Sequence, residues 1–490
     1  MKRWFSGLIV LMLLFVISVP AMAERDLRVK QIMYGSHRVA FVLTEDGTLF
    51  VWGNPYSSTS DQTGGSATPI VMARNVRELL GTDSYMIYYT DDNDDFLAWQ
   101  YYSEADFTKT GKYHTYHYGT LAEDNYLPPF KIASGIKKLI SCNNVYPNGY
   151  FIDADNRLCS FTLVEFVQSI PIGAKTEYVM NVEEGTELIQ MGTYWYLWKQ
   201  DGSLWVVGED KYNCMGVGQK KVNEPTLVTE NVQWVFPMNR QMYVGKDDHS
   251  LWAWGLNQSN YLGNCKGSTV KEPTKILDDA LQIQNYQMGL FHDQTSEMYV
   301  IDSDGSIWNW QDGSLLLGFE RKKPASVITK VMQGVGTIKI FDYRFFVTED
   351  HKLYTYDRTK TSAKNPVVVP VFCLGNVDYV ADPFSNPFKT DEGDLYVGML
   401  DGTLYLAKNG DFNNLYPCSY TAADLQKITQ PPFSTTALFT DEEGRLYALD
   451  SGTVSPVPKY DDLMVYEIPL TEYMNDYIDT GKYNPVSTAD

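Results

Sequence analysis

The chain has 490 residues, with 40 basic and 61 acidic side chains and a formal net charge of −21 at pH 7. A surface this acidic repels phosphate backbones and anionic lipid, which excludes nucleic acid and the membrane surface as expected partners. Its 35 tyrosines, 22 phenylalanines and 11 tryptophans favour strands over helices.

The first predicted element is an export signal, residues 1–23. Lys2 and Arg3 precede an apolar run from Leu8 to Val19, Pro20 ends it, and Ala21-Met22-Ala23 is a small-x-small cleavage site. Cleavage after Ala23 leaves 38 basic and 61 acidic residues, a net charge of −23. The run is shorter than the ~20 residues of a membrane-spanning helix, so no membrane insertion is expected after cleavage. The expected location is extracellular, periplasmic or on the cell surface. Export permits disulfides among the six cysteines, and Cys142 with Cys159, within one repeat, is the pair to test.

A repeat fills residues 24–458. Leu43-Thr-Glu-Asp-Gly-Thr-Leu-Phe-Val-Trp52 returns as Lys199 to Gly208, Lys246 to Gly255 and Asp302 to Trp310. Weaker copies span Thr90 to Trp99, Ile152 to Phe161, Thr348 to Tyr356, Thr390 to Gly398 and Thr440 to Leu449. Each copy is a polar Asp/Gly/Asn turn followed by apolar, aromatic and β-branched residues, the signature of a tight hairpin. Anchored on the first apolar residue, the copies fall at Leu49, Phe96, Leu158, Leu204, Leu251, Ile307, Leu353, Leu395 and Leu446.

A second phrase precedes the first: Val29-Lys-Gln-Ile32, Val76-Arg-Glu-Leu79, Ile136-Lys-Lys-Leu139, Val232-Gln-Trp-Val235, Val377-Asp-Tyr-Val380 and Leu425-Gln-Lys-Ile428. Its apolar ends lie three apart, so they share one face of a strand only if a bulge intervenes. A third phrase, Glu224-Pro-Thr-Leu-Val228 and Glu272-Pro-Thr-Lys-Ile276, places proline as an edge strand permits. About four strands per ~50 residues is one propeller blade, and such units bury their faces only by stacking. The expected fold is all-β: a single closed β-propeller of four-stranded blades, seven to nine in number and best read as eight or nine. Residues 459–490 are expected to form an acidic, Tyr-rich tail.

The unit resembles the repeat of the regulator of chromosome condensation family. Gly35-Ser-His37 followed by Leu43 to Gly53 is similar to its Gly-x-x-His … Asp-Gly-x-x-x-x-Trp-Gly pattern. Asn257-Gln-Ser-Asn-Tyr-Leu-Gly263 and Asp210-Lys-Tyr-Asn-Cys-Met-Gly216 are similar to its Asn-x-x-Gly-Gln-Leu-Gly. Asn260 and Asn213 stand where the family has glycine, and asparagine tolerates the left-handed turn that glycine serves there. The resemblance implies a propeller. With an export signal in front it carries over no nucleotide-exchange residues, and exported bacterial relatives as a group are similar to binding modules.

No catalytic signature is present: no Gly-x-Ser-x-Gly elbow, no His-Glu-x-x-His and no phosphate-binding glycine loop. The expectation is therefore a monomeric protein–protein interaction module, without cofactor, metal or catalytic activity, that binds a protein partner on one face. A carbohydrate-binding or carbohydrate-active propeller is the alternative. Asp91-Asp-Asn-Asp-Asp95 and Asp153-Ala-Asp-Asn156 are fragments of calcium loops without the glycine and glutamate that complete one, and read better as hairpin turns. The candidate partner-binding residues are Tyr101, Tyr102, Phe107, Tyr113, Tyr116, Tyr118 and Tyr126, on an insertion at 100–127. Aromatics on a loop above a rigid scaffold make contact anchors.

Overall fold

The computed structural model describes residues 27–35, 40–52, 69–82, 86–100, 129–142, 148–167, 170–257, 262–263, 265–288, 295–311, 314–318, 325–362, 365–381, 395–418, 436–441, 443–450 and 464–474. The described residues form nine antiparallel sheets in chain order: eight of four strands and a ninth of three. They span residues 29–73, 76–134, 136–181, 187–229, 232–277, 282–332, 338–374, 377–417 and 436–467, and are numbered sheets 1 to 9. Every sheet is a meander of consecutive strands. Sheet 5 is representative: Val232–Met238, Gln241–Lys246, Leu251–Leu256 and Thr269–Leu277.

Burial follows strand position. The second strand is buried almost throughout, as in Ala40–Thr44 and Gln241–Lys246, while the fourth strands, such as Lys221–Thr229, are largely exposed. Pro225 and Pro273 both fall on fourth strands, the sheet edges. The expected bulge is present. The register shifts between residues one and three of the first strand at Val29/Gln31, Val76/Glu78, Val232/Trp234 and Val377/Tyr379. The Val-x-x-Ile spacing thereby puts both apolar ends on one side.

One backbone hydrogen bond recurs from sheet to sheet. The turn between a sheet's second and third strands offers a carbonyl to the amide that opens the next sheet. Val76 N donates to Gly47 O at 2.9 Å, Gly135 N to Asp94 O at 2.8 Å, Val182 N to Asn156 O at 2.9 Å and Val232 N to Gly202 O at 2.8 Å. Ala280 N donates to His249 O at 2.8 Å, Gly336 N to Asp304 O at 3.2 Å and Val377 N to His351 O at 3.0 Å. Seven of the acceptor residues in this series, Gly444 below included, have φ between 59° and 78°. Glycine, asparagine, aspartate and histidine tolerate that left-handed geometry better than other residues, so the turn chemistry of the repeat also aims the carbonyl at the next sheet.

Buried apolar clusters run with these bonds. Phe41 and Leu49 of sheet 1 pack with Leu79 and Tyr89 of sheet 2, and Tyr88 and Phe96 of sheet 2 with Phe151 and Phe161 of sheet 3. Sheets 4, 5 and 6 share one cluster through Tyr196, Trp254 and Trp310. Sheets 7 and 8 meet at Phe345, Leu395 and Phe412. The ninth sheet packs on the first. Leu438, Leu446 and Leu470 are buried with Ala40, Val42, Phe50 and Val71, and Val29 N donates to Gly444 O at 2.8 Å.

The packing rests on a residue eight before the first apolar residue of each hairpin's second strand, aromatic at Phe41, Tyr88, Tyr150, Tyr196, Tyr243, Tyr299, Phe345 and Tyr396 (the last before Leu404), and leucine at Leu438. For Tyr88, Tyr196 and Tyr243 the ring reaches the third strand of the next sheet. Tyr196 lies edge-on to Trp254 with centroids 6.1 Å apart, Tyr243 meets Trp310 at 6.2 Å and Tyr88 meets Phe161 at 5.8 Å. Trp254 Nε1 donates to the Tyr196 hydroxyl at 2.7 Å, so the buried indole is satisfied across the joint.

Three expectations change. The eighth turn is Asp401-Gly402-Thr403-Leu404, not Thr390 to Gly398. Leu395 opens the second strand of its sheet and Leu404 the third. The ninth sheet also ends beyond residue 458: Met464–Glu467, assigned to the tail, is its third strand, and a 3-10 turn at Leu470–Tyr473 follows. Finally, Cys142 and Cys159 are both thiols. They lie on the first and third strands of sheet 3, with Asn148–Asp153 between them. Two strand spacings come to about 9.6 Å, and a disulfide needs Cα atoms within about 7 Å.

Candidate functional face

Consecutive antiparallel strands divide their connections between two faces. On one face lie the second-to-third turns of the four-stranded sheets and the first turn of sheet 9, each of three to five residues by the strand bounds. The first-to-second and third-to-fourth connections leave from the opposite ends of the strands, and by the strand bounds their lengths run from two residues, as at 239–240, to 29 at 101–129. These are called the turn face and the loop face.

The turn face is uniform. Asp201 Oδ1 accepts the Ser203 amide at 2.9 Å and the Ser203 hydroxyl at 2.6 Å, and Trp205 Nε1 donates to that hydroxyl oxygen at 2.8 Å. Asp248, Ser250 and Trp252 repeat the arrangement. The Ser203 hydroxyl and amide hold the Asp201 carboxyl below the usual carboxylate range, and Ser250 does the same for Asp248. Lysines cover the rings: Lys199 lies 5.2 Å from the Trp205 centroid, Lys246 4.6 Å from Trp252 and Lys330 4.9 Å from Trp308. The recurring aromatics are thus consumed in packing. Asp91 and Asp153 cap their own hairpins in the same way, on the amides of Asn93, Asp95, Asp155 and Arg157. Among the described residues no three His, Cys, Asp or Glu side chains converge as a metal site.

The loop face differs from sheet to sheet. At sheets 4 and 5 two loops carry the same motif, and their contacts differ. Asn257 accepts the Leu262 amide at 2.9 Å and donates to Cys265 O at 3.1 Å and Gly267 O at 2.9 Å, so its own loop satisfies it. Its counterpart Asp210 accepts the Cys214 amide at 2.8 Å on one oxygen. The other oxygen accepts Arg240 Nη1 at 3.1 Å, from the two-residue turn of the next sheet. Asn213 has φ 61°, the left-handed geometry expected where it replaces glycine, and its side-chain Nδ2 donates to Gly218 O at 3.1 Å. Met215 and Leu262, the leucine positions of the motif, are fully buried.

Above Asp210 sits Tyr212, 44% exposed. The Arg240 guanidinium carbon lies 4.3 Å from its ring centroid and Lys211 Nζ 4.8 Å. Beneath lie Tyr194 and Cys214. Burial, then Asp210, pushes the Cys214 thiol up to about 12 and raises the Tyr194 phenol further, so both stay protonated and uncharged at neutral pH. The turn holding Arg240 presses on the third strand. A Cβ on Gly255, at φ +112°, would lie 2.1 Å from Arg240 O, and one on Gly208, at φ +125°, 2.6 Å from the Tyr194 Cα. Gly255 of Trp254-Gly255 and Gly208 of Val207-Gly208 are there because this backbone comes so close.

The insertion residues Tyr101, Tyr102, Phe107, Tyr113, Tyr116, Tyr118 and Tyr126 lie outside the described residues. The strands that flank them in the sequence are Asp95–Gln100 and Phe130–Ser134. Ala23 also lies outside them. Sequence reasoning missed Tyr212 and Arg240. Tyr212 occupies a variable position of the motif, and Arg240 is 30 residues from its partner Asp210.

No family model matches the chain. Three solved structures similar to it are yeast RCC1 (Prp20) bound to Kap60, human WBSCR16 and the computationally designed Ika8 protein. The first is 12% identical, covering 84% of this chain and 77% of that one, with a TM-score of 0.29. The second is 10% identical, over 81% and 82%, with a TM-score of 0.29. The third is 10% identical, over 86% and 96%, with a TM-score of 0.33.

Proposed function

We propose that this chain is an exported scaffold, a nine-bladed propeller closed on itself, that binds a protein partner through its loop face. The observation that carries the reading is the confinement of variation to one face. The turn face repeats one hydrogen-bonded device, while by the strand bounds the loop-face connections range from two to 29 residues. Binding residues concentrate on loops held by a rigid frame.

Support for closure is the joint between sheets 9 and 1, which uses the same turn-to-strand bond as the seven joints from sheet 1 to sheet 8. Leu446→Ala tests it. This leucine is buried against sheet 1, and loss of about 3 kcal/mol is expected, the usual cost of such a cavity. A loss below about 1 kcal/mol would speak for an open array with a loose final sheet. Support for export is the pattern of residues 1–23.

The binding reading is tested by capture from extracts of the producing organism and its neighbours, with full chain and a version lacking 101–127. A protein recovered by the first and lost by the second is the expected result. Equal recovery would remove the insertion from the reading, and glycan binding without any protein would replace it.

A further inference from the structure

The loop face of sheets 4 and 5 carries a charge opposite to that of the chain. Residues 209–221, 239–240 and 265–272 contain Lys211, Lys220, Lys221, Arg240, Lys266 and Lys271 against Glu209, Asp210 and Glu272. Hydrogen bonds hold these segments together: Asp210 N donates to Lys220 O at 2.8 Å, and Gly218 N, in sheet 4, to Lys271 O, in sheet 5, at 3.1 Å. Two of the three acids are occupied. Asp210 is buried and committed to Arg240 and the Cys214 amide, and Glu209 lies 3.5 Å from Lys221. That leaves Lys211, Lys220, Lys266 and Lys271, all exposed, against Glu272. At their edge stands Tyr212 between two cations.

We propose that this sector is a docking site for an acidic, extended protein segment, with Tyr212 and Arg240 as its anchors. The inference rests on the scaffold reading above and names the chemistry of the partner. Tyrosine and arginine are the residues that most often dominate interfaces. Arg240 is preorganised: Asp210 fixes one edge of its guanidinium and the Tyr212 ring supports its face, so little side-chain freedom remains to be lost on binding. The net charge of −21 does not forbid an acidic partner. At physiological salt the screening length is about 8 Å, so a docked segment feels the lysines beneath it more than acids on the far side of the ring. The long-range field slows encounter, and the local field sets which segment stays.

The test is fluorescence anisotropy with a labelled poly-glutamate peptide on the full chain. Wild type is expected to bind, more weakly as salt rises. Combined Lys211→Glu, Lys220→Glu and Lys271→Glu should lower affinity by about tenfold or more, and Tyr212→Ala by severalfold. Lys138→Glu, Lys175→Glu and Lys352→Glu together, an equal charge change on exposed lysines elsewhere, should leave it nearly unchanged, with thermal midpoints verifying that both triple variants fold. No binding by wild type overturns the proposal, as does equal loss in both triples. Tighter binding of a single-stranded oligonucleotide than of the peptide overturns it in favour of nucleic acid. A protein partner captured equally by both triples sinks the sector and leaves the scaffold reading standing.

Discussion

The two faces are built from the same strands and obey different rules. On the turn face an Asp cap, a left-handed residue and one outgoing carbonyl recur at Gly47, Gly202, His249 and His351 with little change. On the loop face the equivalent residues of neighbouring sheets part company: Asn257 is satisfied within its loop, while Asp210 reaches across to Arg240. One face holds the sheets in register, and the other is released from that duty and free to vary.

The contrast breaks first at the glycine of the Trp-Gly pair. Gly255→Ala puts a methyl group against the backbone that carries Arg240, at a φ that alanine avoids. A loss of at least about 3 kcal/mol in chemical denaturation is expected; a loss under about 1 kcal/mol would mean that the turn yields easily. Next, Tyr196→Phe removes the acceptor of the buried Trp254 indole and should cost about 2 kcal/mol. Ser203→Ala, on the turn face, frees only the half-buried Trp205 indole and one cap bond, and about 1 kcal/mol is expected. If Ser203→Ala proved costlier than Tyr196→Phe, the ranking of joint over turn would be reversed.

The smallest effect is a pH dependence at the turn of sheet 6. Burial, then a hydrogen bond shared with Asp304, pushes the Asp302 carboxyl up to about 6, while that bond and the Ser306 hydroxyl hold Asp304 down to about 2. The pair titrates together. An unfolded aspartate titrates near ~3.9, so between that pH and 6 the folded chain holds more protons at Asp302 than the unfolded one. This site's stabilisation is complete below pH ~4 and declines as pH rises through 6. Asp304 acts oppositely, losing stabilisation as pH falls towards 2. Asp302→Asn should therefore flatten the dependence of the denaturation midpoint between pH 4 and 6, and parallel curves for variant and wild type would contradict the assignment.

Much of the frame was legible because its physics is local. Asp-Gly turns, the bulge demanded by Val-x-x-Ile and the edge prolines can each be read within ten residues. The eighth unit misled because Thr390-Asp-Glu-Gly-Asp-Leu-Tyr396 imitates the phrase while lying one strand too early. The aromatic eight residues before the anchor would have corrected it, since Leu404 has Tyr396 there and Leu395 has Pro387. The candidate site was less legible. The pairing of Asp210 with Arg240 is made by stacking two sheets, and no local pattern marks a contact formed that way. The cationic sector was likewise hidden by a net charge that averages over both faces.

The most direct test of the division between faces is partner capture by two full-length variants of matched fold. One carries Tyr212→Ala with Lys211→Glu and Lys271→Glu on the loop face. The other carries Asp46→Asn, Asp201→Asn and Asp401→Asn on the turn face. The account predicts loss of the partner by the first and recovery by the second; recovery by the first with loss by the second would place the binding surface on the wrong side of the molecule.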